Sequence, residues 1–194
     1  MNFDGDCRNK TDNELVQLSL EYADWYSCLM GRYEDKLGRY IYRISGGSNE
    51  DIEDLLQEIF LAVYRNLNEF DPKLKFSSWI YRIAHNKVIS HHRKQKARAQ
   101  TIDGEEGEKI IQRIKDEKDL SEIINDKITG EVFERLFQKI DTKYKEVLVL
   151  RYLEEKEYNE ISDILKKPVG TVSTLLTRAK QHMKHVIEKE RIQQ

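Results

Sequence analysis

The chain is poor in residues that interrupt helices. Its 194 residues include only 2 Pro and 9 Gly, while 39% are hydrophobic and 35% are charged. A fold rich in sheet needs frequent turn signals, so this composition favours helices with charged surfaces. The length suffices for one ordinary domain or for two small ones.

Cysteine is scarce, and long apolar runs are absent. Cys7 and Cys28 lack the spacing of a metal site and make a poor disulfide framework. The first ten residues are polar, with two acids and two bases, unlike an export signal or a membrane anchor. We therefore expect a protein of the reducing cytoplasm that inserts no segment into a membrane.

Convergent catalytic groups are also missing. His182 and His185 have no paired carboxylate and no His-Glu metal motif. The adjacent His91 and His92 would diverge on a helix. The sequence therefore predicts no enzyme, no metal site and no cofactor.

Charge is unevenly distributed, although the net charge is only −2. Residues 82–98 carry six Lys or Arg and no acid, whereas residues 46–71 carry seven acids and one base. Nine further acids lie within residues 103–126. This segregation indicates surfaces for partners of opposite sign, although patchy solvated charge would give the same pattern.

Several start signals predict where helices begin. Thr11 and Glu14 fit a capping box, and Ser48 is a suitable N-cap for the next acidic helix. Ser77 or Ser78 is expected to cap a basic helix over residues 79–94. Apolar residues recur at helical spacing behind each signal.

The resulting organisation is all-α, with two small helical domains joined by a flexible acidic linker. We expect a tail over residues 1–10, a helical domain over 11–95, a linker over 96–127 and a second domain over 128–190. The linker lacks aromatic residues and cannot bury much surface. A short strand over residues 147–150 is less favoured than helix, because its flanks are charged.

The second domain contains a helix-turn-helix pattern. Tyr158, Ile161 and Leu165 mark one short helix, Pro168 interrupts it, and a second amphipathic helix follows. The outward face of that second helix has no acid and suits phosphates and base edges; it carries Gly170, Ser173, Thr174, Thr177, Arg178 and Gln181. A helical hairpin with a merely solvated face is the alternative.

The basic helix of the first domain is a second candidate for contact with nucleic acid. Its cations and amides share one face, while aromatic residues before it alternate with Lys73 and Lys75. Exposed rings beside cations stack on unpaired bases. Equally, the rings of Phe76 and Trp79 are suited to a hydrophobic core.

Four segments resemble bacterial RNA polymerase sigma factors. Residues 53–64 (EDLLQEIFLAVY) and 76–86 (FSSWIYRIAHN) are similar to conserved region 2. Residues 146–153 (EVLVLRYL) and 168–172 (PVGTV) are similar to region 4. Their order and spacing resemble the compact extracytoplasmic-function (ECF) group, which keeps only these two regions.

This resemblance implies a transcription initiation factor that binds core RNA polymerase, recognises promoter DNA and melts the −10 element. It implies polymerase contacts by Asp51, Asp54, Leu55, Gln57, Glu58 and Leu61. It implies −10 contacts by Lys75, Phe76, Trp79, Arg82, Asn86, Lys87, Arg93 and Lys94. It implies −35 contacts by Lys167, Gly170, Thr171, Ser173, Thr174, Thr177, Arg178 and Gln181. An anti-sigma factor and a role in a stress or envelope response are further implications.

The chain departs from the family pattern at several positions. Ser173 and Leu175 stand where relatives often carry cations, which weakens expected contacts to the −35 element. Ser90 stands where Asp is more usual. The acidic linker suits the family's use of this segment as an anionic mimic of nucleic acid. A plain solvated tether is equally compatible with its sequence.

Two other classes of protein remain open from the residues alone. A stand-alone repressor or activator would combine the helix-turn-helix with a sensor domain, but the first domain offers no phosphoacceptor or ligand pocket pattern. An adaptor would use the charged faces to bind proteins only.

Overall fold

A computed structural model describes residues 7–99, 136–137 and 139–192. Every regular element within these ranges is helical, which confirms the all-α class. Residues 1–6 of the predicted tail (residues 1–10) and most of the predicted linker lie outside the described residues.

Within the part of the chain that the structure describes, four α-helices with assigned bounds form an N-terminal bundle and three form a C-terminal bundle. The first four are α1 (Asp12–Glu21), α2 (Tyr26–Ser45), α3 (Asn49–Arg65) and α4 (Phe76–Ala99). The others are α5 (Thr142–Leu148), α6 (Tyr158–Leu165) and α7 (Val169–Ile192). A short π-helix, Val149–Leu153, continues α5, so residues 147–150 are helical as predicted.

The predicted capping box at Thr11 and the predicted N-cap at Ser48 are both present. The Glu14 amide donates to Thr11 Oγ1 over 3.3 Å, and the Glu14 carboxylate accepts from the Thr11 amide over 2.7 Å. Ser48 and Asp51 make the same reciprocal pair at the start of α3. Each box satisfies amides that the first helical turn leaves without partners.

The predicted start of α4 is wrong. Neither Ser77 nor Ser78 is the cap, because the helix already begins at Phe76. The carbonyl of Lys75 accepts from the amides of Ser78 and Trp79 over 3.0 and 3.2 Å. Ser78 is itself buried, so its side chain faces the core instead of the helix end. The helix also runs to Ala99, four residues beyond the predicted domain end at 95.

The core of the N-terminal bundle forms where α2, α3 and α4 meet. Leu37, Ile41, Ile59, Ile80 and Val88 are fully buried there. Burial of each such side chain contributes about 1.5–3 kcal/mol. The amphipathic stripes of the helices therefore determine which faces remain for function.

The two cysteines are paired, contrary to the expectation of reduced thiols. A disulfide joins Cys7 to Cys28 on α2, with their Cα atoms 5.5 Å apart. The chain reverses through α1 and returns along α2, which brings residue 7 beside residue 28. Arg32 supports this arrangement by donating to the carbonyls of Cys7 and Lys10 over 2.8 Å each.

The helix-turn-helix is formed by α6 and α7. Lys166 ends α6 in the left-handed conformation, with φ of 52°. The carbonyl of Pro168 accepts from the amides of Thr171 and Val172 and so begins α7. The buried face of α7 is the predicted one from Val172 onward, whereas Val169 is exposed.

The two bundles are packed against each other. Helix α6 lies along α4, and α5 contacts α2. Apolar residues of both bundles belong to one continuous buried cluster. This packing places the helix-turn-helix beside the basic helix.

We expect reduction of the Cys7–Cys28 disulfide to lower the free energy of unfolding by about 3 kcal/mol, because the bridge closes a loop of 21 residues. Denaturant titrations with and without dithiothreitol measure this. A Cys7→Ser/Cys28→Ser variant serves as the control and should not respond to the reductant. Equal midpoints for oxidised and reduced wild-type protein would show that the bridge contributes nothing.

Candidate nucleic-acid interface

The exposed face of α7 carries the predicted base-reading residues. They form one continuous surface along about three helical turns; exposed are Gly170, Thr171, Ser173, Thr174, Thr177, Arg178 and Gln181. Because residues three and four apart share a helix face, they could enter a groove together. Lys167 differs, since it is half-buried at the turn before α7.

Two hydroxyl groups on this face bond to their own helix. Thr174 Oγ1 donates to the carbonyl of Gly170 over 2.9 Å, and Thr177 Oγ1 donates to that of Ser173 over 3.1 Å. Each oxygen keeps lone pairs for accepting. In this arrangement the two threonines present acceptors outward, while Arg178 presents donors.

The basic helix α4 exposes only part of its predicted DNA-binding set. Asn86, Arg93 and Lys94 are exposed, and Arg82 and Lys87 are half-buried. Lys75, just before α4, is exposed. These side chains provide a cationic surface of the kind that contacts phosphates.

The predicted roles of Phe76 and Trp79 in stacking on bases require correction. Their side chains are only 1% and 7% exposed. Phe76 lies with its ring centroid 5.3 Å from that of Phe70 and 5.6 Å from those of Tyr33 and Trp79. These rings form an aromatic core that fixes the start of α4. Neither the Phe76 ring nor the Trp79 ring is therefore open to stack on a base.

An acidic strip lies on the exposed face of α3. We use that name for Asp54, Gln57, Glu58 and Leu61, all of which are exposed. Leu61 is 56% exposed, so the strip combines two carboxylates and an amide with an apolar side chain.

Two predicted members do not belong to the acidic strip. Leu55 is 3% exposed and packs in the core, because the step of about 100° from Asp54 turns it toward the neighbouring helices. Its predicted contact with polymerase is therefore corrected to a structural role. Asp51 is engaged with Ser48 in the capping box, and that hydrogen bond holds the pKa of its carboxyl below the usual value.

The acidic strip and the basic helix adjoin each other. Lys87 Nζ lies 3.1 Å from Glu58 Oε2, which joins α4 to α3. Asn86, Lys87 and Lys94 line one shallow groove together with Glu58. A protein bound to the strip would therefore lie beside nucleic acid bound to α4.

A polar cluster is buried where the two bundles meet. Tyr40 Oη lies 3.1 Å from His85 Nδ1, and Glu146 lies nearby on α5. Burial, together with the Lys167 cation, lowers the pKa of His85 to about 4. Burial raises the pKa of Glu146 to about 7, although the Lys167 cation opposes the rise.

Both halves of the chain match known protein families. The Sigma-70 region 2 family matches residues 29–98, and the Sigma-70 region 4 family matches residues 130–183. The chain is 33% identical over 175 residues to the ECF RNA polymerase sigma factor SigW of Bacillus subtilis. That alignment covers 88% of this chain and 92% of SigW.

The chain belongs to the ECF group of RNA polymerase sigma factors. It is also 28% identical over 185 residues to the sigma-E factor of Haemophilus influenzae, an alignment that covers 92% of this chain and 96% of that protein. The sigma factor is thus a transcription initiation factor that binds core polymerase and promoter DNA, and it is not an enzyme.

Solved structures share its fold. CnrH, in complex with the cytosolic domain of CnrY, matches with a TM-score of 0.65 and 20% identity over 92% of this chain and 97% of that one. RpoE of Bartonella quintana, in complex with the anti-sigma factor NepR, matches with a TM-score of 0.65 and 16% identity over 84% and 96%. Among the described residues of this sigma factor, no helix is long and apolar enough to span a bilayer.

Sequence reasoning missed the residues that join the two bundles. Glu154 accepts from Arg43 Nη1 over 2.8 Å and from the Tyr81 hydroxyl over 2.5 Å. These residues are 111 and 73 positions away in the chain. No local pattern marks an acid whose partners come from another domain.

We expect Phe76→Ala to lower the free energy of unfolding by about 3–5 kcal/mol, because it removes a ring from the aromatic core. Chemical denaturation measures the loss, and Leu74→Ala, at an exposed neighbouring position, is the matched control. Loss of promoter melting by a Phe76→Ala protein of unchanged stability would contradict a structural role for this ring.

The raised pKa of Glu146 makes a prediction about pH. The contribution of the Glu146 carboxyl to stability is fully present below its pKa in the unfolded chain, near 4.5. It is lost as pH rises through its pKa in the folded protein, about 7, because burial opposes ionisation. Glu146→Gln should therefore match wild type at pH 4 and exceed its stability at pH 8 by about 3 kcal/mol.

The measurement is denaturant unfolding of both proteins at the two pH values. His85 titrates in the opposite sense over pH 4 to 6.5, but it is present in both proteins and cancels in the comparison. Glu155→Gln, at an exposed position, is the control and should show no such difference. A Glu146→Gln effect that is equal at both pH values would contradict the assignment.

Proposed function

We propose that this sigma factor docks on core polymerase through the acidic strip of α3. The strip combines carboxylates at positions 54 and 58 with the amide of Gln57 and the apolar side chain of Leu61. Such a mixed surface suits a partner with cationic and apolar groups. Its exposure on a rigid helix is the observation that supports the assignment.

The −10 element is then contacted by α4 and the turn before it. The candidate residues are Lys75, Arg82, Asn86, Lys87, Arg93 and Lys94. Their position beside the acidic strip supports this role, because polymerase bound to α3 would hold DNA next to α4. With Phe76 and Trp79 in the core, cations and amides provide the contacts, and a base flipped from the duplex must find another stacking partner.

The −35 element is read by α7. The exposed, acid-free face from Gly170 to Gln181 enters the major groove, with Arg178 as the main donor to base edges or phosphates. Ser173 supplies no cation. Binding to this element therefore depends on Arg178 and on neutral side chains more than in relatives with lysine at that position.

The protein would act in the cytoplasm as an alternative sigma factor for a stress or envelope response. Its regulator would be an anti-sigma factor. The proteins of similar fold, solved with the cytosolic domain of CnrY and with the anti-sigma factor NepR, support that partnership by analogy. Co-purification from cells under inducing and non-inducing conditions would identify such a partner.

Run-off transcription with purified core polymerase tests the proposed function as a whole. Candidate promoters come from transcripts that increase when the sigma factor is overproduced. We expect transcripts that begin at one position on these templates only when the factor is added. A stand-alone repressor or an adaptor would give no such transcripts.

We expect charge reversal in the acidic strip, Asp54→Lys together with Glu58→Lys, to weaken binding to core polymerase at least roughly tenfold, because like charges would then meet at the interface. Fluorescence titration of labelled sigma factor with core polymerase measures the affinity, and circular dichroism checks the fold.

Glu53→Lys is the matched control, since Glu53 is an exposed acid of α3 outside the strip. We expect it to bind almost as wild type does. If the double variant retained wild-type affinity, or if Glu53→Lys weakened binding as strongly, α3 would not dock through this strip.

A further inference from the structure

The disulfide between Cys7 and Cys28 is unexpected in a protein that works with RNA polymerase. The proposed function places this sigma factor in the cytoplasm, where small thiols keep most cysteines reduced. Disulfides that do form there are usually transient and take part in catalysis or in redox sensing. The 194 residues contain no other cysteine, so their thiol chemistry takes place at this pair.

The fold brings the two cysteines together and gives them unequal access to solvent. Their Cα atoms are 5.5 Å apart although 21 positions separate them in the chain, and this distance is suitable for a disulfide. Cys28 lies on α2 and is only 7% exposed, whereas Cys7 is half-buried. A reagent from solvent therefore reaches the sulfur of Cys7 first.

Contacts other than the disulfide hold Cys7 beside α2. Arg32 Nη2 donates to the carbonyls of Cys7 and Lys10 over 2.8 Å each. Arg32 Nη1 is paired with the Asp12 carboxylate, which also accepts from the Tyr33 hydroxyl. Because none of these contacts involves sulfur, we expect them to persist after reduction and to keep the two thiols within reach of each other.

We propose that Cys7 and Cys28 form a reversible redox site, oxidised by a low-molecular-weight disulfide and reduced by the corresponding thiol, that ties the start of α1 to α2. The placement of this site in a reducing compartment rests on the proposed function, whereas the chemistry of the pair does not.

Oxidation of the site proceeds by two exchanges. The thiolate of Cys7 attacks one sulfur of the small disulfide and forms a mixed disulfide, which releases one small thiolate. The thiolate of Cys28 then attacks the Cys7 sulfur and releases the second. The two released thiolates take up the protons that the protein thiols lost. Two protein thiols thus lose two electrons, and one small disulfide is reduced to two thiols; reduction follows the same path in reverse.

The bond secures a helix that also contacts a DNA-binding segment. Cys7 lies four residues before Thr11, which caps α1. From α1, Asn13 Nδ2 donates to the carbonyl of Pro72 over 3.0 Å. This carbonyl belongs to the turn just before Lys75, one of the cations assigned to the −10 element. Oxidation therefore strengthens the attachment of a helix that helps to hold this turn.

Equilibration of the full chain with mixtures of reduced and oxidised glutathione tests the site. Alkylation followed by intact-mass spectrometry counts the free thiols. We expect complete interconversion in both directions. The equilibrium constant for bridge formation should be roughly a hundredfold larger in native protein than in concentrated urea, because only the fold brings the pair together.

Three outcomes of this titration would overturn the proposal. The first is a bridge that stays intact at equilibrium with excess reduced glutathione. The second is a pair that oxidised glutathione leaves unbridged. The third is an equal equilibrium constant in native protein and in urea, which would mean that the fold does not position the pair.

Arg32→Ala tests whether Arg32 positions the pair. The substitution removes the donors to the Cys7 and Lys10 carbonyls and should lower the equilibrium constant of the native protein roughly tenfold. Arg39→Ala, at an exposed position of α2, is the matched control and should leave it unchanged. Equal effects of the two substitutions would contradict this role of Arg32. The wild-type titration stands even if Arg32→Ala fails to fold.

Single-cysteine variants test the order of the two exchanges. Cys28→Ser retains Cys7 and should form a mixed disulfide with oxidised glutathione at least roughly tenfold faster than Cys7→Ser, which retains the buried Cys28. Equal rates would contradict the assignment of Cys7 as the first nucleophile.

Hydrogen exchange of the oxidised and reduced protein measures the effect on α1, whose amides should exchange roughly tenfold faster after reduction. Equal exchange in the two forms would show that the bond does not secure α1. None of these measurements requires polymerase. Failure of the proposed function is therefore distinguishable, because the wild-type factor would then start no transcripts while the glutathione titration stayed the same.

Discussion

The packing of α4 is the constraint on which the other features depend. One side of this helix is committed to the N-terminal core through Phe76, Ile80, Ala84 and Val88, which recur every four residues. A second side presents Tyr81 to region 4. Only the remaining side can carry cations for DNA. The aromatic core thus determines which residues of this helix are available to a promoter.

Two buried acids at the junction of the regions are stabilised in different ways. Glu154 has an arginine and a tyrosine as partners and remains paired. Burial instead raises the pKa of Glu146 to about 7, with only the nearby Lys167 cation in opposition. The first acid favours docking through its partners, whereas the second is stabilised by taking up a proton. The junction is therefore sensitive to the charge of both.

Local features could be predicted from the sequence because their causes are local. The Thr11 capping box, the Ser48 N-cap and the helix-turn-helix each depend on residues within a few positions of one another. The exposed face of α7 follows from helical periodicity for the same reason. The resemblance to sigma factors likewise rests on short contiguous motifs, and the family matches confirm it.

Features that depend on tertiary packing could not be predicted in this way. The partnership of Cys7 with Cys28 requires the chain reversal through α1. The burial of Leu55 follows from how α3 is rotated against its neighbours, and a shift of one residue separates it from the exposed strip. The aromatic rings of Phe76 and Trp79 are suited both to a hydrophobic core and to stacking on DNA bases. Only the packing around them shows which of the two roles they have.

Promoter opening by a variant of α4 tests the central claim most directly. Permanganate footprinting of the holoenzyme measures strand opening by Arg93→Ala, at an exposed position of α4, and denaturant unfolding measures the stability of the same protein. The account predicts weaker strand opening, with the free energy of unfolding within about 0.5 kcal/mol of wild type. Strand opening equal to wild type would contradict the account.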